Sequence, residues 1–215
     1  MATEMVIQLG ILVFTLGIFY AIYNLPKRAF TRIRFKDRSD NQAHQHFIQG
    51  AQLLSRARSS RSKSTALKFA KAAAGEADKA LALDPRDPAA LILKALVLDL
   101  MGHKTAALKS LDSALSPPGV KELSERERGD ALFKRAELQV ALNRRRRVAS
   151  AVADLEQAVK LSPDNANAYC LLGRCYEIEG LKEEARRSFQ HALKIEPDLA
   201  TAREGMARLG PFCII

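Results

Sequence analysis

The stretch AYCLLGRCYEIEGLKEEARRSFQHALKIEP, residues 168–197, follows a pattern that already occurs 34 residues earlier in the chain. Pro163 and Pro197 are 34 residues apart, and so are Ala151 and Ala185. Self-similarity at a fixed period of this length is the signature of a repeat protein. The same step recurs upstream between Ala73 and Ala107, Ala77 and Leu111, and Ala80 and Ala114.

The last unit resembles the tetratricopeptide repeat. The matching positions are Tyr169, Leu172, Gly173, Tyr176, Ala185, Phe189, Ala192 and Pro197, with Tyr169 in place of the usual tryptophan. The resemblance implies that each unit is a pair of antiparallel helices, A and B. Gly173 and Ala185 are then small because the two helices cross closely at these positions. Pro197 would end helix B.

The sequence predicts an all-α protein, a right-handed α-solenoid of such helix pairs over residues 42–210. We expect repeats at about 42–85, 88–121, 129–165 and 166–199, a capping helix at 200–209 and a short tail at 211–215. Asp87 and Pro88 predict an N-cap and first helical position, and Ser124 with Glu127 predicts a capping box. In the capping helix, Met206 and Ala207 are expected to face the stack.

Residues 5–25 contain no charged side chain and predict a single transmembrane helix within residues 1–25. Twenty-one residues at ~1.5 Å each give about 30 Å of helix, the thickness of a bilayer core. A cleaved signal peptide is the alternative, but the N-terminus lacks a basic region and no small-residue cleavage site follows the apolar run.

A basic juxtamembrane linker, residues 26–41, follows the predicted anchor. Its cations predict a cytosolic C-terminal domain and an N-terminus on the other side. Apolar anchors with this flank resemble the signal anchors of mitochondrial and chloroplast outer-membrane proteins, which we favour as the location. An endoplasmic reticulum anchor is the alternative. The membrane-flanking residues are Lys27, Arg28, Arg32, Arg34, Lys36 and Arg38.

Insertions relative to the 34-residue period are rich in basic residues, and they predict a basic rim on one edge of the solenoid. The two basic insertions, in the first and third repeats, are expected to lengthen the A-to-B turns, which all lie on the same edge of such a stack. The rim would contact an acidic partner or an anionic membrane, or else consist of solvated charges at helix ends. Its residues are Arg56, Arg58, Arg61, Lys63, Lys104, Arg144, Arg145, Arg146 and Arg147.

The resemblance also implies a concave groove lined by the A helices, in which these proteins bind peptides or helices. One subclass grips chaperone tails through a carboxylate clamp, but four of five clamp positions lack a suitable residue here, among them Leu93 and Asp130. We therefore do not expect a carboxylate-clamp chaperone binder. The candidate groove residues are Ile92, Leu96, Phe133, Glu137, Val140, Cys170 and Arg174.

The sequence shows no catalytic or cofactor-binding motif, so we expect neither an enzyme nor a cofactor. His44 and His46 are two residues apart and diverge on a helix, and the three cysteines have no metal-ligand spacing. The predicted function is a membrane-anchored adaptor that binds a protein partner. Since the formal net charge is +10, an RNA- or ribosome-associated tether that uses the basic rim is the alternative.

Overall fold

The protein was analysed as a computed structural model that describes residues 41–143 and 146–210. Within these ranges the fold is all-α, with nine α-helices, one short 3₁₀ helix and no strand. The α-helices are α1 (41–59), α2 (Lys63–Leu83), α3 (Pro88–Leu100), α4 (Lys104–Ala114), α5 (Glu125–Leu142), α6 (Val148–Leu161), α7 (Ala166–Glu179), α8 (Lys182–Ile195) and α9 (Ala200–Leu209).

Local sequence signals set several helix ends. The Asp87 carboxylate accepts a hydrogen bond from the backbone N–H of Ala89 at 2.9 Å, with Pro88 opening α3. The capping box is confirmed, because the Ser124 hydroxyl accepts from the Glu127 N–H and the Glu127 carboxylate accepts from the Ser124 N–H. Gly180 ends α7 with a φ of 80°, a left-handed conformation that glycine adopts without strain.

The helices form a linear stack in which each helix packs mainly on its neighbours in sequence. The A helices α1, α3, α5 and α7 alternate with the B helices α2, α4, α6 and α8, and α9 packs on α7 and α8. Apolar clusters fill the space between successive pairs, so the core is a row of small clusters rather than one centre. This arrangement is typical of a solenoid.

Phe189 lies fully buried at the crossing of α7, α8 and α9. A Cβ built on Gly173 would come within 2.8 Å of its ring, and one built on Gly205 within 2.5 Å. The small residue predicted at Gly173 is therefore required by the ring. The expectation for α9 was wrong at Ala207, which is exposed, because the face that meets Phe189 carries Ala202 and Gly205.

The expected long turn in the first repeat was also wrong. Only residues 60–62 separate α1 from α2, so Arg56 and Arg58 belong to α1 and Lys63 begins α2. The extra residues lengthen the helices instead, and α2 has 21 residues where α4 has 11. The reason is local, since the segment after Ser62 is rich in alanine, leucine and lysine and favours helix propagation.

The membrane anchor predicted at residues 1–25, most of the basic linker and the tail at 211–215 lie outside the described residues. Among residues 41–143 and 146–210, none of the helices combines the length and apolar character needed to cross a bilayer.

Candidate functional site

A groove of about 460 Å³ lies between α1, α3 and α5, the A helices of the first three repeats. Its surface is mainly apolar, and charged side chains lie among the lining residues on α1 and α5. The apolar lining on α1 and α3 includes Phe47, Ala51, Leu54, Ile92, Leu93 and Leu96.

The first repeat supplies one wall of the groove through a regular helical spacing. Phe47, Ala51, Leu54 and Arg58 follow each other at steps of four, three and four residues, which places them on one face of α1. On α3, Ile92 and Leu96 repeat the same spacing. The capping box fixes the start of α5, whose first turns bring Glu127, Asp130 and Lys134 to the opposite wall.

The charged residues of the groove differ in whether they already have partners. Arg58 is exposed and makes no salt bridge within the described part of the chain. Lys134 donates to Asp99 at 2.7 Å and to Glu137 at 2.8 Å. Burial alone would lower the pKa of Lys134, but these two carboxylates outweigh it and raise the pKa.

Asp130 has no such partner. Burial raises the pKa of its carboxyl above the ordinary value, the nearby Asp164 raises it further, and Arg126 offsets part of the effect. The side chain of Asp130 is nevertheless exposed to solvent, so an approaching cation can reach its carboxylate, and Arg58 is likewise open to an anion. The groove thus has one positive and one negative group that a bound partner can neutralise.

The predicted groove residues do not all lie at one site. Ile92 and Leu96 line the groove, while Glu137 pairs with Lys134. Phe133 and Val140 are half-buried and pack against the apolar cluster shared by α5, α6 and α7. The structure therefore brings only two of the seven to the wall of this groove.

The remaining two candidates lie at the α7–α9 end of the stack. Cys170 is buried beneath α9, where its thiol donates to the Thr201 hydroxyl at 3.2 Å. Arg174 is exposed in a separate depression of about 490 Å³ between α7 and α9. There Arg208 donates to Glu177 at 2.9 Å, so the depression is polar and partly self-neutralised.

The basic residues predicted to form the rim also divide. Arg61 and Lys63 lie at the α1–α2 turn, Lys104 begins α4, and Arg146 and Arg147 precede α6. Arg56 lies on the last turns of α1, and Arg58 lines the groove. Arg144 and Arg145 lie outside the described residues.

The contribution of α1 to the groove escaped the sequence reasoning. Stepping from repeat to repeat by a fixed period fails across the lengthened first repeat, so Phe47, Leu54 and Arg58 had no counterpart to be matched with. The spacing of these residues along α1 was the available signal, because it defines an apolar face that ends in a cation.

Comparisons with known proteins agree with this geometry. Residues 140–200 match the family model described as tetratricopeptide repeat. This match supports tetratricopeptide repeats in that part of the chain. Proteins of this family generally mediate protein–protein interactions as adaptors, and the fold is typically a non-enzymatic scaffold. No curated protein sequence matches the chain.

Several solved structures share the tetratricopeptide fold. MamA 41-end from Desulfovibrio magneticus RS-1 is 20% identical with a TM-score of 0.58, covering 78% of this chain and 83% of that one. YrrB, a tetratricopeptide protein with an unusual peptide-binding site, is 23% identical with a TM-score of 0.57, covering 67% and 70%. The Cut9–Hcn1 hetero-tetramer of the APC/C is 18% identical with a TM-score of 0.64, covering 79% and 30%.

Proposed function

We propose that the protein is a membrane-anchored, non-enzymatic adaptor that binds an amphipathic helix of a protein partner in the groove between α1, α3 and α5. The observation that carries the proposal is the apolar floor that α1 and α3 form in this groove, beside the charged wall of α5. Contiguous apolar surface in a concave site is typical of a binding site.

The groove also has the chemistry that suits a helix. An amphipathic helix presents an apolar stripe with charged residues beside it. The stripe fits the floor formed by Leu54, Ile92 and Leu96. Because Arg58 and Asp130 line the groove and make no salt bridge among the described residues, the partner helix should carry an acidic side chain toward α1 and a basic one toward α5.

A chaperone tail is a poorer fit. The first tetratricopeptide domain of Spaghetti (RPAP3) is known bound to the HSP90 peptide SRMEEVD, and it is 19% identical to this chain with a TM-score of 0.50. Here the groove contains the carboxylate of Asp130, and Lys134 is already held by Asp99 and Glu137. An acidic tail would meet a repulsive charge and a cation that is already neutralised.

Residues 1–25 are proposed to anchor this right-handed solenoid in the mitochondrial or chloroplast outer membrane, with the C-terminal domain in the cytosol. Support comes from the uncharged run at 5–25 and its basic flank. Carbonate extraction of the full chain and protease treatment of intact organelles test this step. Release by carbonate, or a C-terminal domain protected from protease, would overturn it.

The groove is tested by site-specific photocrosslinking of the full chain in cells. A photoreactive residue in place of Ala89, which lines the groove, should crosslink a partner, while one in place of Leu67, an exposed residue of α2, should not. The Arg58→Glu variant should reduce the crosslinked product about tenfold, since it places a like charge opposite the partner's acidic residue.

The control is Arg56→Glu, which makes the same change of charge on the same helix at a residue outside the groove. Crosslinking should stay at the level of the unsubstituted protein. Equal losses in the two variants, or equal crosslinking from positions 89 and 67, would show that the groove is not the binding site.

A further inference from the structure

The A-to-B turns of the first three repeats form an edge of the solenoid with basic and apolar residues and no carboxylate. We call it the basic edge. It consists of Arg61, Lys63, Leu100, His103, Lys104, Leu142, Arg146 and Arg147.

The turns of the basic edge lie side by side. His103 and Lys104, from the α3–α4 turn, share a depression of about 530 Å³ with Leu142, the last residue of α5. Met101 of the same turn packs against the apolar cluster shared by α1, α2 and α3, which contains Ala57 near the end of α1. The basic edge is therefore one surface that runs across three repeats.

The cations of this surface have no internal counter-charge. Neither aspartate nor glutamate occurs in residues 41–75, 100–111 or 138–153, which contain the three turns. Among the described residues, Arg61, Lys63, Lys104, Arg146 and Arg147 make no salt bridge. The fourth turn differs, because Glu179, Glu183 and Glu184 surround it, and the basic edge ends there.

The opposite edge carries charges of both signs. Its B-to-A turns all contain carboxylates, including Asp84, Asp87, Glu122, Asp164 and Glu196, beside the cations Arg86 and Lys121. Uncompensated positive charge is therefore concentrated on the basic edge. A field with this polarity orients the molecule toward an anionic surface.

Two exposed leucines make this surface partly apolar rather than purely charged. Leu100 is 42% exposed and Leu142 is 36% exposed, each at the end of an A helix beside the cations. Apolar side chains among cations suit the interface of an anionic bilayer, where cations meet headgroups and leucines enter the acyl boundary. A single-stranded nucleic acid would instead favour aromatic rings for stacking, and the described residues of the basic edge include only the imidazole of His103.

From these observations we infer that the basic edge lies flat on an anionic phospholipid bilayer, as a second contact independent of the groove. The chain enters α1 at residue 41, on the opposite edge, and α1 is about 28 Å long. Residues 26–40 provide up to about 50 Å of extended chain. An anchor in the same bilayer therefore permits this orientation.

The experiment uses the full chain mixed with vesicles of phosphatidylcholine, with or without phosphatidylserine, and measures lysine acylation by mass spectrometry. Lys63 and Lys104 report on the basic edge, and Lys160, near the end of α6 on the opposite edge, is the reference. We expect severalfold slower acylation of Lys63 and Lys104 with phosphatidylserine only, and an unchanged rate at Lys160. Raised salt should remove most of the protection.

The test variant is Arg146→Glu with Arg147→Glu, and the control is Lys121→Glu with Arg128→Glu on the opposite edge, which changes the net charge equally. The test variant should still fold, since carboxylates are favourable just before and within the first turn of α6. The affinity for vesicles that contain phosphatidylserine should fall roughly fivefold for each cation removed. The control variant should bind these vesicles like the unsubstituted protein.

Equal protection with and without phosphatidylserine, or equal loss in the two variants, would overturn the inference. So would unchanged protection in a Leu100→Ser, Leu142→Ser variant, because a purely charged partner needs no leucines. Filter binding of polyuridylate RNA completes the test, and tight binding lost only in the arginine variant would favour nucleic acid instead. Flotation with neutral vesicles separately reports on the anchor.

Discussion

At the scale of single residues, the fold depends on glycines whose lack of a side chain leaves room for a neighbouring ring. Phe189 occupies the space that Gly173 and Gly205 leave, and both glycines lie against its ring. Gly75, in the middle of α2, has no neighbouring atom within 4 Å of where its Cβ would lie. Two helical glycines of this chain are therefore expected to respond in opposite ways to the same added methyl group.

Gly205→Ala should destabilise the protein by about 1–3 kcal/mol, since the methyl group would overpack the ring of Phe189. Gly75→Ala should stabilise it by about 0.5–1 kcal/mol, because alanine restricts the unfolded chain and favours helix. Urea denaturation of both variants measures the two changes. A stabilising Gly205→Ala would show that the ring can move away.

The residue scale also shows the limit of sequence reasoning. Gly173 was predictable, because the repeat pattern reserves its position for a small residue. Gly205 was not, since the capping helix follows no repeat and its inward face depends on how α9 docks on Phe189. Ala207 was placed on the wrong face for that reason.

At the scale of helices, α5 is tied to its neighbours by one arginine. Arg135 donates from Nε to Asp154 on α6 at 2.7 Å and also reaches the second oxygen of that carboxylate. Its contact with Asp112 on α4 is longer, at 3.4 Å. Asp154 is buried and accepts a further hydrogen bond from Gln139, whereas Asp112 is exposed. The hydrogen bonds to Asp154 raise the pKa of Arg135.

Asp154→Ala should destabilise the protein by about 3 kcal/mol, because Arg135 and Gln139 would lose a buried acceptor. Asp112→Ala removes the other partner of the same arginine and should cost less than about 0.5 kcal/mol. Thermal or urea unfolding compares the two. Similar losses would mean that the buried bidentate pair is no stronger than the exposed contact.

Helix caps were well predicted, whereas helix lengths and the start of the third repeat were not, since α5 begins at Glu125 rather than near residue 129. The N-cap at Asp87 and the capping box of Ser124 and Glu127 act within one turn, so their residues are visible as local patterns. Whether inserted residues form a loop or extend a helix depends on propagation from both sides. The continuous helix through the segment after Ser62 is the outcome here.

At the scale of the whole molecule, the stack is uneven in what it buries. The buried residues of α2 are Ala70, Ala73, Ala77 and Ala80, all alanines. The cluster of α5, α6 and α7 instead includes Leu155, Leu171 and Leu172, with Phe133 and Tyr176 packed against it. Alanine buries little apolar area, so the packing of α2 contributes less stability than the packing of α6 and α7.

Native-state hydrogen exchange should therefore show graded opening. Amides of α2 should exchange through openings of lower free energy than those of α6 and α7, since neighbouring repeats in a linear stack open partly independently. Mass spectrometry of peptides from each helix measures the order. A single protection value across α2, α6 and α7 would indicate that the stack unfolds as one unit.

The sequence predicted only part of the groove, because the rest depends on how whole helices dock on one another. Ile92 and Leu96 were found because α3 follows the repeat period. The wall formed by α1 depends on how a lengthened repeat docks on its neighbour, which no local pattern encodes. Cys170 was covered by α9, a helix whose docking the repeat pattern does not describe.

The groove joins the first repeat, whose α2 buries only alanines, to the second and third repeats. A bound partner that contacts all three repeats stabilises their packing, because its binding free energy is available only while α1 stays docked. Binding of a partner should therefore make the first three repeats unfold together, as one cooperative unit. The end formed by α7 to α9, which the groove does not reach, would keep its own rate of opening.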